Sequence, residues 1–230
     1  MIGKGKSISH GVAALEYDLA KEIDGQAAAT EIARHELYGC TGAEMVQEMK
    51  PYFTDFPNVK NNCLRFEVSP SIEESSSFTD TDWAELGNDF MQRMGLMNHQ
   101  YIIIKHSGTE SKKKQAHLHI LANRISLSGE LYRDNWIGKR ATEAANAIAK
   151  ERDFVQSQDI GKANKAEIKE AMNEVLKKLQ GFDLAKFQEE LGKLGFKVRE
   201  ARASTGKLNG YYVTARSGTE YKASEIGKGY

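Results

Sequence analysis

Between His99 and Arg124 the chain reads His-Gln-Tyr-Ile-Ile-Ile-Lys-His106, a polar loop, then His117-Leu-His119-Ile-Leu-Ala-Asn-Arg124. Tyr101 to Ile104 is an apolar run rich in β-branched and aromatic residues, which predicts a strand buried on both faces. Ser107 to Gln115 holds Ser, Gly, Thr and the lysines Lys112, Lys113 and Lys114, which is turn chemistry. His117 to Ile125 predicts a second strand, so the two form a hairpin. Successive side chains of a strand point to opposite faces, so His117 and His119 share one face. His106, at the strand–loop junction, can return beside them. Three converging imidazoles would make a divalent-metal site with open coordination positions. Packed together without a metal, they would need hydrogen-bond partners and would repel one another on charging. His10, His35 and His99 lack such company and read as structural, with His99 within reach of the same sheet.

The rest of the chain supplies an α/β frame for that hairpin. Ile2 to Ser9 reads as a glycine-interrupted strand. Gly11 to Asp24 predicts a helix with Val12, Leu15, Leu19 and Ile23 as its apolar stripe. Tyr17 falls off that stripe, about 140° round the helix from Val12, and is free to face a site. Ala27 to Tyr38 is open between a helix, which its alanines favour, and a strand over Glu31 to Tyr38, the preferred reading. Thr41-Gly-Ala-Glu44 is a capping box opening a helix to Tyr52. Cys63 to Ser69 alternates as a strand, and Thr79 or Thr81 caps a helix ending at Gly95. After the hairpin come a loop, Gly129 to Trp136, and an alanine-rich helix, Lys139 to Arg152. This order predicts an α/β sandwich, of the α+β kind, with a central and largely antiparallel sheet flanked by helices.

Two domains are expected, 1–155 and 156–230. Residues 156–162 read as a linker, and the remainder as a basic ααββ appendage: helices Ala163 to Gln180 and Leu184 to Leu194, then strands Phe196 to Ala203 and Tyr211 to Ala215. The chain ends at Gly-Lys-Gly-Tyr230 without a stop signature, so a longer protein is an open expectation.

Charge separates along the sequence. Residues 1–90 carry 7 Lys+Arg against 16 Asp+Glu, and residues 91–230 carry 25 against 16, so balances of −9 and +9 sum to zero. A polyanion would be drawn to the second half, where most of the histidines lie. No run is long and apolar enough to span a bilayer, and no signal-peptide pattern opens the chain, so membrane insertion is not expected. Cys40 and Cys63 stand alone without metal spacing, which fits a reducing cytoplasm.

With no Gly-x-Ser-x-Gly, no Walker motif and no cysteine near the histidines, Tyr17 is the best nucleophile in sight. Glu67, on its own strand, either accepts a hydrogen bond from a ligand histidine or simply faces solvent. Lys4, Lys6, Arg124 and Lys112 to Lys114 are candidate phosphate contacts, or ordinary solvated cations. By ligand type alone, three imidazoles point to Zn, Mn or another transition metal.

A lone tyrosine in the first helix, a strand-borne His106 and His117-Leu-His119 followed by Asn123-Arg124 resemble relaxases of the mobilisation-nuclease (MobA-like) family, in the HUH endonuclease class. Gly3-Lys-Gly-Lys-Ser7 ahead of the tyrosine helix is similar to the family's first motif, and His106 to Arg124 to its third. The Glu67 strand loosely matches the acidic position behind the metal ligands of several relatives. The resemblance covers about residues 1–150, and Gly195-Phe-Lys-Val198 with Tyr221 to Gly227 is similar to the segment after the nuclease core. Many relatives carry an acidic residue soon after the first histidine. Ser107-Gly108 stands there in this chain, which keeps His99 as the other candidate for third ligand.

The resemblance implies that Tyr17 attacks one phosphodiester of single-stranded DNA at an origin of transfer, becoming joined to the 5′ phosphate. It implies Mg²⁺ or Mn²⁺ on His106, His117 and His119. As partners it implies accessory mobilisation proteins and a coupling protein with its type IV secretion system, in a bacterial cytoplasm. A rolling-circle replication initiator or HUH transposase is the alternative, although those more often place the tyrosine after the histidines. From other classes, a three-His metal hydrolase using water and a non-catalytic DNA-binding module remain open.

Overall fold

The computed structural model describes residues 1–23, 26–107, 115–179, 181 and 183–227, so Lys112, Lys113 and Lys114 lie outside the described residues. The chain divides into two compact units, Met1–Ser157 and Gln158–Tyr230.

The first unit runs β1 (Ile2–Ile8), α1 (Gly11–Leu19), β2 (Glu22–Ile23), β3 (Gln26–Ala27), β4 (Ala29–His35), α2 (Gly42–Phe53), β5 (Cys63–Ser69), α3 (Ile72–Ser75), α4 (Asp80–Arg93), β6 (His99–His106), β7 (His117–Ser126) and α5 (Ile137–Glu151). Five strands form one sheet in the order β1-β5-β7-β6-β4, every pair antiparallel. β6 and β7 pair as the hairpin pattern predicts, with His106 opposite His117 and Ile104 opposite His119.

Alternation along the strands builds two cores. Phe66, Tyr101, Ile103, Leu118 and Ile120 face α4 and α5. Ile102, Ile104, Cys63 and Leu121 face α1 and α2, with Leu15, Met45 and Met49. β6 is therefore buried on both faces, as its continuous apolar run requires. In β1 the glycines take the α5 side: a Cβ on Gly3 would lie 2.4 Å from the Ala141 carbonyl oxygen. Lys4 and Lys6 consequently share the opposite face, that of the histidines. Thr41 and Thr79 each close a full capping box, starting α2 and α4.

Three expectations are corrected. α1 stops at Leu19, and a short β2–β3 hairpin follows where helix was expected to Asp24. In the sequence Asp24-Gly25 is a hairpin signal, and both residues lie outside the described residues. The buried stripe of α1 is Gly11, Ala14, Leu15 and Asp18, and Val12 is exposed. Residues 157–162 are helical rather than linker: α6 spans Ser157–Lys178, and both the amide and hydroxyl of Ser157 donate to Asn146 Oδ1 at 3.0 and 2.9 Å. One interior glycine, Gly161, weakens a helix by only about 1 kcal/mol and does not break this one.

In the second unit α6 is followed by α7 (Leu184–Lys193), β8 (Lys197–Arg202), β9 (Leu208–Thr214), β10 (Glu220–Lys222) and α8 (Ala223–Ile226). It has a third strand and a closing helix beyond the ααββ expected, in a sheet ordered β10-β9-β8. Its own core joins Ile168, Met172, Val175, Phe187, Leu191, Phe196 and Val213.

Candidate metal centre and nucleic-acid pocket

His106, His117 and His119 meet on the α1 face of the sheet, with one nitrogen from each lying within 4.8 Å of the others. Ring centroids are 4.4 Å apart for His106 and His119, 4.8 Å for His117 and His119, and 5.4 Å for His106 and His117. His117 Nε2 and His119 Nε2 are 3.1 Å apart. Two nitrogens each about 2.0–2.1 Å from one ion would be about 3.0–3.4 Å apart, so this pair is spaced as ligands of a single metal.

Second contacts orient the rings. His106 Nε2–H donates to the backbone carbonyl of Asp18 at 2.7 Å, which leaves Nδ1 with a free lone pair. His117 Nδ1–H donates to the Gln115 carbonyl at 3.0 Å, leaving Nε2 with the lone pair. Arg65 Nη2 donates to Asp18 Oδ1 at 2.5 Å and lies 3.5 Å from His119 Nδ1, and the Asp18 carboxylate is 3.9 Å from that nitrogen, so a proton on Nδ1 faces Asp18 and leaves Nε2 with the lone pair. Asp18 is buried, so one residue of α1 backs two of the three imidazoles. Burial is the main cause that lowers the pKa of His106. Burial, then the charges of His106, His117 and Arg65, takes His119 down to about 2. For Asp18 burial outweighs Arg65 and raises the carboxyl. Neutral imidazoles with lone pairs are what a divalent cation needs, so the donor set fits a metal.

Beside His119 opens a cavity of about 240 Å³ lined by Lys4, Gly5, Lys6, Arg65, Phe66 and Glu67. With Lys4 on Glu67 and Arg65 on Asp18, the third cation, Lys6, leaves the pocket at the edge of the cluster net positive.

The expected site residues divide accordingly. The three histidines come together, with Lys4 and Lys6 beside them. His99 lies apart: its ring is buried, Nδ1–H donates to the Asn123 carbonyl at 2.9 Å, and the ring meets Tyr132 edge-on. Glu67 is opposite His119 in the β5–β7 register, but its carboxylate takes Lys4 Nζ at 2.9 Å. The carboxylate next to the histidines is that of Asp18. Sequence reasoning passed over it because an aspartate beside a tyrosine looks like surface; its place in the Gly11–Ala14–Leu15–Asp18 helical stripe was the available signal.

Arg124 is not free for phosphate. Nε donates to the Tyr132 carbonyl, Nη1 to the Asn61 carbonyl and Nη2 to Asp134, at 3.1, 2.9 and 2.6 Å. Tyr17 is 59% exposed, its hydroxyl accepting from Lys21 Nζ at 3.2 Å. The adjoining Asp18 ties this part of α1 to the histidine cluster.

A five-stranded antiparallel sheet with flanking helices defines an α+β fold, and it carries clustered imidazoles that could hold a metal ion beside a basic pocket. The family model for the MobA/VirD2-like relaxase nuclease domain matches residues 17–154, and the chain belongs to that family. It is thus a relaxase of the DNA-endonuclease class, and the match covers most of the unit that holds the histidines. Among solved structures, the metal-bound conjugative relaxase TrwC in complex with oriT DNA is 11% identical, with 90% of this chain and 74% of that chain covered and a TM-score of 0.38. Comparison with curated protein sequences gives no match.

Proposed function

We propose that the protein nicks one DNA strand at an origin of transfer by tyrosine transesterification, for mobilisation of a plasmid or integrative element. The observation that carries this reading is the convergence of three imidazole nitrogens within 4.8 Å, beside a pocket lined by Lys4, Lys6 and Arg65. The family match, beginning at Tyr17, supports it.

His106, His117 and His119 would hold the ion, Mg²⁺ or Mn²⁺, with imidazole favouring Mn²⁺ of the two. When bound, it supplies Lewis-acid charge for the non-bridging oxygens of the scissile phosphate. Lys4 and Lys6 neutralise the flanking backbone. Tyr17 gives up its phenolic proton and its oxygen attacks phosphorus. An O–P bond forms to the tyrosine as the bond to the 3′ oxygen breaks, and that oxygen takes up a proton. Lys21, already donating to the Tyr17 hydroxyl, holds the negative charge that develops on it. The 5′-phosphotyrosyl link conserves the phosphodiester, so a later 3′ hydroxyl can reverse the step. Accessory mobilisation proteins, a coupling protein and a type IV secretion system are the partners this role requires. Its setting is the bacterial cytoplasm, which suits free Cys40 and Cys63.

Incubation with labelled single-stranded DNA from the element encoding the protein tests the proposal. A covalent protein–DNA band on a denaturing gel is expected with Mn²⁺ or Mg²⁺, abolished by EDTA and by Tyr17→Phe. A band surviving Tyr17→Phe, or cleavage with no band, overturns it.

A further inference from the structure

Trp136 is the most exposed large hydrophobic side chain among the described residues, at 80%. Its backbone, at φ 56° and ψ 26°, lies in the left-handed region that a bulky side chain rarely adopts. Such a conformation persists where the surroundings over-determine it, and here they do. Arg124 donates to the Tyr132 carbonyl, the Asn61 carbonyl and Asp134, while Ile137 N–H donates to the Asp134 carbonyl at 3.1 Å. From α5, the Arg140 guanidinium sits 4.7 Å over the Tyr132 ring. The two arginines clamp residues 132–134 of the loop, just ahead of Trp136. No ring among the described residues stacks on the indole.

The clamp holds the loop that carries Trp136 at the β1 edge of the sheet. Thr142 Oγ1 donates to the Gly3 carbonyl at 3.0 Å, and a Cβ on Gly138 would lie 3.4 Å from the Gly5 carbonyl oxygen. α5 therefore runs along β1 in the opposite direction, and its first turn, which Trp136 precedes, lies against Gly5 on the sheet face opposite Lys4 and Lys6. β1 is an edge of the sheet, and its Lys4 and Lys6 line the cavity that reaches His119.

We infer that Trp136 stacks on a nucleobase of single-stranded DNA as the strand passes over the Lys4–Lys6 edge of the sheet. The inference rests on the reading of this site as one that handles single-stranded DNA. An unpaired strand offers phosphates for cations and flat base faces for an aromatic ring, and one that turns over the β1 edge meets Lys4 and Lys6 on one face and the Trp136 loop on the other. Every base has a π-face, so the contact grips the strand without reading its sequence.

The chain has two tryptophans, and Trp83 is buried at 3%, so a DNA-dependent change in indole emission reports on Trp136. The full chain is titrated with fluorescein-labelled oligothymidylate, reading anisotropy and tryptophan emission together. Quenching of emission in step with binding is expected. Trp136→Ala should weaken binding about tenfold with an unchanged melting temperature, and Trp136→Phe should keep it within about threefold. Binding with silent emission, and Trp136→Ala within about twofold of wild type, overturns this inference and leaves the nuclease reading standing. Absence of any single-stranded DNA binding by the wild-type chain overturns both. Emission that follows protein concentration instead of DNA assigns the ring to a second copy of the chain and also overturns it.

Discussion

His99, His106 and His119 are bases that burial keeps neutral, each with a pKa below the ordinary imidazole value of 6.5. As the pH falls, the unfolded chain therefore takes up protons first. Stability present above about pH 6.5 is lost as the pH drops toward the folded values. Asp18, raised by burial from 3.8, acts in the opposite sense, and only nearer the carboxylate range. The melting temperature of metal-free protein in EDTA should thus fall steadily between about pH 7 and pH 5; a flat profile there would contradict the burial of these rings. Asp18 and Glu67 provide a sharper contrast. Outer partners of metal ligands typically carry about 10–100-fold in metal affinity. Asp18→Asn should lower Mn²⁺ affinity by about tenfold in calorimetric titration, with Glu67→Gln within about twofold of wild type. The reverse ranking would return the supporting role to Glu67. At this scale the sequence made some residues readable and hid others. His117 and His119 were legible because strand period fixes them on one face. Asp18 was hidden because a buried carboxylate is justified only by Arg65, forty-seven residues away. Arg124 looked free because its acceptors are main-chain carbonyls of two different loops, at Asn61 and Tyr132, and an aspartate with no pattern of its own.

Strands and helices with strong periodicity were the readable elements: β5, β6, β7, α2 and α4 lie where alternation, apolar runs and capping boxes put them. The misread ones are those where local chemistry competes with period. α1 ends early because a hairpin signal overrides a continuing apolar count. α6 absorbs a polar, glycine-containing stretch because its later residues, Ile168, Met172 and Val175, have a core to reach. The glycines of β1 were legible as interruptions, but not as the reason α5 can lie so close. Since a Cβ on Gly3 would meet backbone at 2.4 Å and the Ala145 Cβ at 2.6 Å, Gly3→Ala should destabilise the protein by about 1–3 kcal/mol. Urea denaturation followed by circular dichroism measures this, and a change below about 0.5 kcal/mol would mean that α5 shifts freely on the sheet. Because α5 also carries the clamp on Trp136, the same substitution bears on how that ring is held.

For the molecule as a whole, each unit has a core of its own, so residues 1–157 expressed alone should melt cooperatively and retain the histidine cluster. A non-cooperative melt would make the second unit part of the nuclease fold. Net charge is zero, and the pocket cations Lys4, Lys6 and Arg65 belong to the half whose balance is −9, so charge counted along the sequence does not locate the basic pocket. The proposed reaction, however, turns on one bond: a phosphotyrosyl link made next to three clustered imidazoles. Trypsin cuts after Lys6 and Lys21, and in the peptide Ser7–Lys21 the only tyrosine is Tyr17. Mass spectrometry of the digested protein–DNA adduct should find the nucleotide phosphate on that peptide. Its presence on any other tyrosine peptide, or a nicked strand with a free 5′ phosphate and Ser7–Lys21 unmodified, would contradict the mechanism.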